Sequence, residues 1–398
     1  MLRNRTVLAV SLAICMAYTG IGMVGPVRVL YAQTQGATLD VIGAMASAYL
    51  ISNFAAQYPA GWLSDRTGRR LLMVLGLIAQ AVLSLVYLAV NDPLLFVILR
   101  LGEGIAAAAV LPSARALIAD AVPAEKQGQA FGIFSGFFNA GFLLGPAIGG
   151  LLAATGYATA FIGAALFRVL ALVVVIVFIP RLARSGVTST KRTIFRRGEG
   201  IFRLPLLGAY IIAFGDYLWL GFDLAILPLW LHDHVGATVV TIGLAYTAWA
   251  IPSVILTPLG GFVADRARRS HLILVFGLAQ VPLYVGYGLV TNAWLVVGLF
   301  AVHGVVYSFI QPAVDAHVAT SSTRQNRARV QSMYAAIGML GAFAGANALT
   351  KLYAIDYRLP LFTIGASYGI CVLIGGLVIR RFEGRGRTMT SVTVSPLV

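Results

Sequence analysis

Several ionisable side chains lie inside long apolar stretches of this sequence, where a charge is costly and is usually functional. Arg100 and Glu103 are three residues apart, which places both on one face of a helix. Burial favours the protonated form of a carboxyl group, whereas a nearby cation favours the ionised form. Glu103 can therefore bind and release a proton as its distance from Arg100 changes, as a proton carrier must. The alternative is a permanent ion pair that only fixes helix packing.

Two aspartates share one face of another helix. Asp216 and Asp223 are seven residues apart, which is two helical turns. We expect Asp216 near mid-depth and Asp223 nearer the outer end, and at least one of them to be a proton or cation site. The alternative for Asp223 is a hydrated position near the outer mouth.

Three further ionisable residues have open roles. Arg28 lies near the outer end of its helix and could pair with Asp223 or Glu103, bind an anionic head group, or reach lipid phosphates. A histidine titrates near neutral pH, but His303 could equally be hydrogen-bonded scaffolding. Arg168 must find an acidic or carbonyl partner inside the protein.

Uncharged polar and aromatic side chains in these stretches are candidates for contact with a substrate. Asn53 and Gln57 are four residues apart and share a helix face. The other candidates are Asn139, Trp219, Gln311 and Gln331. Aromatic residues in membrane helices are more often packing or interface anchors, so packing is the alternative role for Trp219.

The composition places these residues in a membrane protein. The chain is 59% hydrophobic and 11% charged, against about 25% charged residues in ordinary soluble domains. About 20 apolar residues span a hydrocarbon core, and twelve such runs predict an all-α membrane protein with twelve transmembrane helices. The predicted spans are 7–30, 40–62, 71–91, 94–119, 128–154, 158–180, 204–231, 238–263, 271–290, 293–318, 328–350 and 359–379.

An internal repeat relates the two halves of the chain. The charged segment Gly-Trp-Leu-Ser-Asp-Arg-Thr-Gly-Arg-Arg at 61–70 returns in altered form at 261–269, an offset of 200 residues. The pairs Gly104 with Gly304, Pro112 with Pro312 and Gly145 with Gly345 keep this offset. Internal repeats are typical of secondary transporters. We therefore predict two pseudo-symmetric six-helix bundles.

The net charge of +15 is concentrated in alternate loops. With both termini inside, the cytoplasmic segments hold 23 of the 29 Lys and Arg residues and the outer loops hold three. Positive loops stay in the cytoplasm, so we expect a plasma (inner) membrane protein with both termini cytoplasmic. The same distribution argues against nucleic-acid binding. The predicted segments are a bundle at 1–180, a cytoplasmic linker at 181–203, a bundle at 204–380 and a cytoplasmic tail at 381–398.

No motif indicates an enzyme. The sequence has no Gly-x-x-x-x-Gly-Lys-Ser/Thr loop for ATP. His232, Asp233 and His234 are too few and too close in sequence for a metal site. Cys15 and Cys371 lie in apolar runs as small core residues. We expect no catalysis, no metal and no cofactor, with a proton gradient as the energy source.

Twelve helices in two halves, with the segment 61–70 after the second helix, resemble the major facilitator superfamily over nearly the whole chain. Two motifs resemble those of its drug:proton antiporters, the multidrug efflux family. Arg-Leu-Gly-Glu-Gly at 100–104 is similar to the arginine motif associated with proton coupling, and Gly-Phe-Leu-Leu-Gly-Pro-Ala-Ile-Gly-Gly at 141–150 is similar to the antiporter motif. The second half departs from the pattern, since Ala346 replaces the proline and Arg268 replaces the loop's second glycine.

The resemblance implies a conformational latch, composed of Gly61, Asp65, Arg66, Gly68, Arg69, Arg70 and Asp120. In this latch Asp65 would cap the N-terminus of the eleventh helix, and Arg69 would pair with Asp120. Together they would hold the two halves in the outward-facing state. The alternative is a positive loop that only sets the topology.

The antiporter motif, Gly141, Gly145, Pro146, Gly149 and Gly150, implies a close helix seam. Pro146 removes an intrahelical hydrogen bond and bends its helix. We expect Gly145, Gly149 and Gly150 to permit tight contact with a helix of the other half.

These features predict proton-coupled efflux of lipophilic or cationic small molecules, including drugs, by alternating access. The predicted transporter is a monomer in the lipid bilayer, and Glu103, Arg100, Asp216 and Asp223 are its proton-coupling residues. The alternative is an exporter or flippase of an amphipathic metabolite, sugar or anionic lipid, with Arg28 as the anchor.

Overall fold

The computed structural model describes residues 4–123, 126–179, 202–323 and 326–383. Most of the predicted linker at 181–203 and of the predicted tail at 381–398 lies outside the described residues. Within the described ranges the chain is helical without β-strands, and twelve helices are long and apolar enough to cross a membrane. The predicted fold class is confirmed.

The twelve helices are numbered in chain order. They are α1 (Arg5–Thr34), α2 (Leu39–Thr67), α3 (Arg69–Ala89), α4 (Pro93–Asp120), α5 (Gln127–Ala153), α6 (Tyr157–Phe178), α7 (Leu204–Ala225), α8 (Val239–Arg266), α9 (Arg269–Leu289), α10 (Ala293–Ser321), α11 (Arg329–Ile355) and α12 (Leu359–Glu383).

Two helices contain local breaks. The span predicted at 204–231 is α7 followed by a short helix, Leu227–Asp233, because Pro228 has no N–H to continue the α7 hydrogen-bond pattern. In α11, a π-helical turn occupies Gly345–Leu349. Under the offset of 200, Ala346 in this turn matches Pro146 of α5. The helix is therefore irregular at this position although the proline is absent.

The helices pack as two equivalent bundles. In the first half α1 contacts α5 and α6, α4 contacts α2 and α3, and α3 contacts α6; the same pairs recur among α7 to α12. Individual hydrogen bonds also repeat. Arg69 donates to the carbonyl oxygen of Ala116, and Arg269 donates to that of Ala316 at 3.1 Å. The sequence repeat is thus a repeat of packing as well.

The two ends of the molecule differ in charge. The α2–α3 and α8–α9 turns, with Arg66, Arg69, Arg266 and Arg269, lie at one end, which we call the basic face. The end that carries the α1–α2 and α7–α8 connections is called the opposite face.

Contacts between the halves concentrate toward the opposite face. Gln33 of α1 donates to Asp233 at 2.8 Å, and Asn347 of α11 donates to Ser47 of α2 at 2.7 Å. One buried apolar cluster spans both halves in this region. Nearer the basic face, each half has a separate apolar cluster of its own. The halves are therefore joined at the opposite face and separate toward the basic face.

The glycines of the antiporter motif face two different helices. A Cβ atom at Gly145 would lie 2.7 Å from the Cα of Gly22, and one at Gly149 would overlap the carbonyl oxygen of Met23, so both glycines pack on α1 of their own half. Only Gly150 fits the predicted seam, because a Cβ there would lie 2.6 Å from the carbonyl oxygen of Val239 in α8. The prediction that Gly145 and Gly149 contact the other half is wrong. These two residues are four apart and share the helix face that packs on α1, whereas the next residue, Gly150, lies on a different face.

Replacing Gly149 should therefore destabilise the first half. In Gly149→Ala, the added methyl group meets backbone atoms of α1 that cannot rotate away. We expect a loss of about 1–3 kcal/mol, the usual cost of overpacking, seen as a lower melting temperature of the detergent-solubilised protein. The matched control is Gly136→Ala on the same helix, where a Cβ meets no atom within 4 Å. Equal melting temperatures for the two variants would contradict this packing.

Candidate functional site

A cavity of about 250 Å³ lies in the second half of the molecule. Four helices and the segment after α7 surround it. Its lining residues are Asp216, Tyr217, Trp219, Leu220, Asp223, Leu227, Tyr246, Trp249, Tyr284, Phe300, His303 and Tyr307.

The two aspartates of α7 both line this cavity. The Oδ1 atom of Asp223 accepts a hydrogen bond of 2.6 Å from the Tyr246 hydroxyl on α8. Asp216 forms no hydrogen bond or ion pair with another described residue. Because α7 begins at the basic face, Asp223 lies nearer the opposite face and Asp216 nearer the middle of the helix. The cavity thus contains one partnered and one unpartnered carboxyl group.

Aromatic rings form most of the remaining wall. Trp219 lies between its neighbours, with ring centroids 5.7 Å from Tyr287 and 5.2 Å from Tyr284. Trp249 of α8 contacts Tyr307 of α10 at 5.4 Å. Ring faces attract cations and pack well against apolar surface. A lipophilic cation matches both properties of the wall.

His303 reaches the cavity wall with both ring nitrogens engaged. Its Nδ1 lies 3.2 Å from the Tyr287 hydroxyl, and its Nε2 lies 3.2 Å from the Gln280 side-chain oxygen. The side chain is 3% exposed. These contacts match the scaffolding alternative for His303, in which it orients Tyr287 and α9 behind Trp219.

Glu103 does not line the cavity. It lies buried in the first half between two arginines, 3.0 Å from Arg28 and 3.1 Å from Arg100. Arg100 also donates to the carbonyl oxygen of Met45. Of the alternatives for Arg28, the structure contains the pair with Glu103, whereas Asp223 is bonded elsewhere. Because its helix face packs against α1 and α2, Glu103 lies apart from the α7 aspartates in this conformation.

Arg168 finds neither an acid nor a carbonyl as its hydrogen-bond partner. Its Nη1 atom donates to the hydroxyl of Ser84 on α3, and its Nε atom has no partner among the described residues. The side chain is 2% exposed. The predicted kind of partner is therefore wrong, and the described part of the first half buries three guanidinium groups with one carboxylate.

The predicted polar substrate contacts do not line the cavity themselves, although Gln311 accepts a hydrogen bond of 3.4 Å from the lining residue Tyr307. Asn53 donates to the carbonyl oxygen of Gly104 at 3.1 Å, and Gln57 donates to Asn53 at 3.2 Å. Gln311 donates to Asp315 at 3.1 Å. Asn139 and Gln331 are exposed on α5 and α11. Of the uncharged candidates, only Trp219 lines the cavity.

The segment 61–70 contacts its own half. Arg69 forms an ion pair with Asp120, and Arg70 donates to the carbonyl oxygen of Ile176 at 2.6 Å. The Arg66 guanidinium lies 3.8 Å from the ring centroid of Trp62. Gly68 has a φ of +101°, which favours glycine at this turn.

The remaining latch residues have no partner among the described residues of the other half. Asp65 is exposed and bonds to no other described residue, and a Cβ at Gly61 would meet no atom within 4 Å. The pair of Arg69 with Asp120 is present as the resemblance implies. The contact of Asp65 with α11 is absent from this conformation, because the halves are separate at the basic face.

Sequence reasoning missed most of the aromatic wall. Tyr246 and Trp249 are three residues apart on α8, and Phe300, His303 and Tyr307 follow three- and four-residue spacing on α10. On each of these two helices such spacing is a signal of one shared face. It could have identified these side chains once α7 had been recognised as a cavity helix.

Known proteins resemble this chain in both sequence and fold. The sequence model of the Major Facilitator Superfamily matches residues 10–224 and 206–389. The quinolone resistance protein NorA of Staphylococcus aureus (strain COL) is 24% identical over 96% of this chain and 98% of its own length. An uncharacterized MFS-type transporter of Methanocaldococcus jannaschii is 39% identical over 34% of this chain and 35% of its own length.

Solved structures share the fold at low sequence identity. The nucleoside transporter NupG matches with a TM-score of 0.77 and 12% identity, covering 94% of this chain and 99% of that one. A D-xylose–proton symporter matches with a TM-score of 0.71 and 19% identity, covering 96% of each chain. A bacterial homologue of the lysosomal transporter Spinster, in an inward-facing, unoccupied conformation, matches with a TM-score of 0.71 and 15% identity over the whole of both chains. These likenesses concern the fold alone.

Proposed function

The chain belongs to the Major Facilitator Superfamily, and we propose that it exports lipophilic, cationic small molecules in exchange for protons. It is a multi-pass membrane protein with twelve candidate spans. The observation that carries the proposal is the cavity of the second half, where two carboxyl groups lie among aromatic rings. The similarity over 96% of the chain to a protein named for quinolone resistance supports the same class of substrate.

We place the basic face in the cytoplasm of a cell whose plasma membrane holds the protein. Its loops carry most of the Lys and Arg residues, as cytoplasmic loops do. The halves separate toward this face, so the conformation described here is open to the cytoplasm and ready to load. The latch at 61–70 forms in the other conformation, when closure of the basic face brings Asp65 to the N-terminus of α11.

Protons and substrate compete for the α7 aspartates. A cation in the cavity stabilises the ionised carboxylates, and its release to the outside leaves two carboxyl groups that take up protons before the return step. Protonation of both aspartates favours the return of the empty transporter to the other conformation. No uncompensated charge is then carried through the membrane centre. The Tyr246 hydroxyl, 2.6 Å from Asp223, orients that carboxyl group for either partner.

Gradient-driven uptake into proteoliposomes tests the proposal. The membrane potential is clamped with potassium and valinomycin, and labelled tetraphenylphosphonium is added outside vesicles that are acidic inside. We expect wild-type protein to accumulate the cation and nigericin to abolish the accumulation. Asp216→Asn and Asp223→Asn should each lower it at least tenfold, because each removes an ionisable group from the cavity.

The control for these variants is Asp92→Asn. Asp92 caps the N-terminus of α4, and Asn292 at the equivalent position caps α10 in the same way, so this change removes a charge without losing the cap. The control should transport at the wild-type rate. Uptake that ignores the pH gradient, or full uptake by both α7 variants, would contradict proton exchange at these groups.

Export of a compound with an anionic head group has less support from the structure. Arg28 is the proposed anchor of that alternative, yet it is 6% exposed and paired with Glu103. The cavity itself presents carboxyl groups, which repel an anion.

A further inference from the structure

The α7 helix fixes the spacing of the two aspartates that line the cavity. Asp216 and Asp223 lie on one uninterrupted helix, seven residues apart, so they are about 10 Å apart along the helix axis. Seven residues are close to two full turns, which points both side chains to the same side of α7. Both line one continuous cavity.

A singly charged ligand leaves one of these groups without a counter-charge. None of the described residues that line the cavity is a lysine or an arginine, and both His303 nitrogens are already hydrogen-bonded. The Tyr246 hydroxyl donates a hydrogen bond to Asp223, whereas Asp216 has no hydrogen-bond or ion-pair partner among the described residues. A cation that reaches only Asp223 therefore leaves the Asp216 carboxyl group facing an aromatic wall, where an isolated charge is poorly solvated.

The wall between the two carboxyl groups suits cationic centres joined by an apolar chain. Trp219 lies between Asp216 and Asp223 on α7, and Trp249 and Tyr307 complete the wall from α8 and α10. Aromatic faces stabilise ammonium groups and also pack against methylene chains. The lining thus alternates charge-binding and apolar surface along the axis of α7.

We propose that the cavity takes elongated dications, with two cationic centres about 10 Å apart along α7. One centre lies against Asp216 and the other against Asp223, with the linking chain on Trp219. The inference rests on the proposed function and narrows its substrate class. Exchange of one such dication for two protons also moves no net charge across the membrane.

Displacement of bound tetraphenylphosphonium from the purified full-length protein tests the inference. The competitors are bis(trimethylammonium)alkanes of increasing chain length, each compared with the mono-ammonium alkane of equal length. We expect the inhibition constant to pass through a minimum at a nitrogen separation of about 10 Å, at least tenfold below that of the matched monocation. Asp216→Asn and Asp223→Asn should each abolish the minimum while binding of monocations persists.

The outcomes separate the inference from the function on which it rests. The control Asp92→Asn should keep the wild-type minimum. If tetraphenylphosphonium binds but the series shows no preferred length, the dication inference is overturned and the cation exporter stands. If tetraphenylphosphonium is neither bound by the purified protein nor transported into vesicles, both fail.

Discussion

A disulfide between cysteines introduced by Gly43→Cys and Thr350→Cys should stop transport completely and reversibly. These residues lie on α2 and α11, at the opposite face where the halves meet. A Cβ at position 43 would lie 3.7 Å from the Cβ of Thr350, which is within the range that a disulfide requires. Alternating access needs this junction to open, so a covalent bond across it holds the protein open only to the basic face.

The measurement uses a background without the two native free cysteines, Cys15 and Cys371, replaced by alanine. Oxidation should abolish vesicle uptake of the labelled cation, and a reductant should restore it. Binding of the cation to the oxidised protein should remain, because the cross-linked protein stays open to the basic face. Each single-cysteine variant, treated in the same way, should transport normally. Undiminished transport by fully cross-linked protein would rule out opening at this junction.

The fold follows from the sequence because its two determinants are local or periodic. Apolar run length predicts the twelve helices, and the offset of 200 predicts that their packing repeats. The helix ends differ by a few residues from the predicted spans, in part because polar caps extend some helices beyond their apolar part. Thr38 and Thr238, for example, cap α2 and α8 at equivalent positions.

The site follows from the sequence only in part. A helix face can be read from spacing, and the shared face of Asp216 and Asp223 was predicted in this way. The rotation of that face relative to the other helices depends on tertiary packing. Glu103 and Arg28 show the consequence of this rotation. Each carries a charge that would suit a cavity, but α1 and α4 are rotated so that the two side chains face each other and form an ion pair. His303, at the position equivalent to Glu103, does reach the cavity wall.

The pair of positions 103 and 303 also shows how equivalent halves acquire different roles. The Tyr287 hydroxyl lies 3.2 Å from His303, and the Tyr87 hydroxyl lies 3.5 Å from Glu103, so the tyrosine contact repeats. The charged partner differs. Glu103 also forms an ion pair with Arg100, whereas the position equivalent to Arg100 in the second half is Phe300. Position 103 therefore belongs to a buried ion network, and position 303 belongs to the aromatic wall of a cavity.

Removal of the Glu103 charge should therefore lower the stability of the folded protein first, rather than the coupling of transport to protons. In Glu103→Gln, the buried guanidinium groups of Arg28 and Arg100 lose their only carboxylate partner among the described residues. Breaking a buried ion pair on one side costs about 3–5 kcal/mol, because the remaining charge stays buried without compensation. We expect a much lower melting temperature in detergent for Glu103→Gln, and little change for Asp223→Asn, whose partner is an uncharged tyrosine.

The double variant Arg28→Gln with Glu103→Gln decides between the two roles considered for Glu103. If the Glu103 carboxylate belongs to a permanent ion pair that only fixes helix packing, removing one cation together with the anion should restore a substantial part of the lost stability. Gradient-driven uptake should then recover with it, since the α7 aspartates are intact. If instead Glu103→Gln melts like wild type but transports the cation without regard to the pH gradient, Glu103 is a proton carrier. The first half would then titrate during transport, and its ion network would have to open in the outward-facing state.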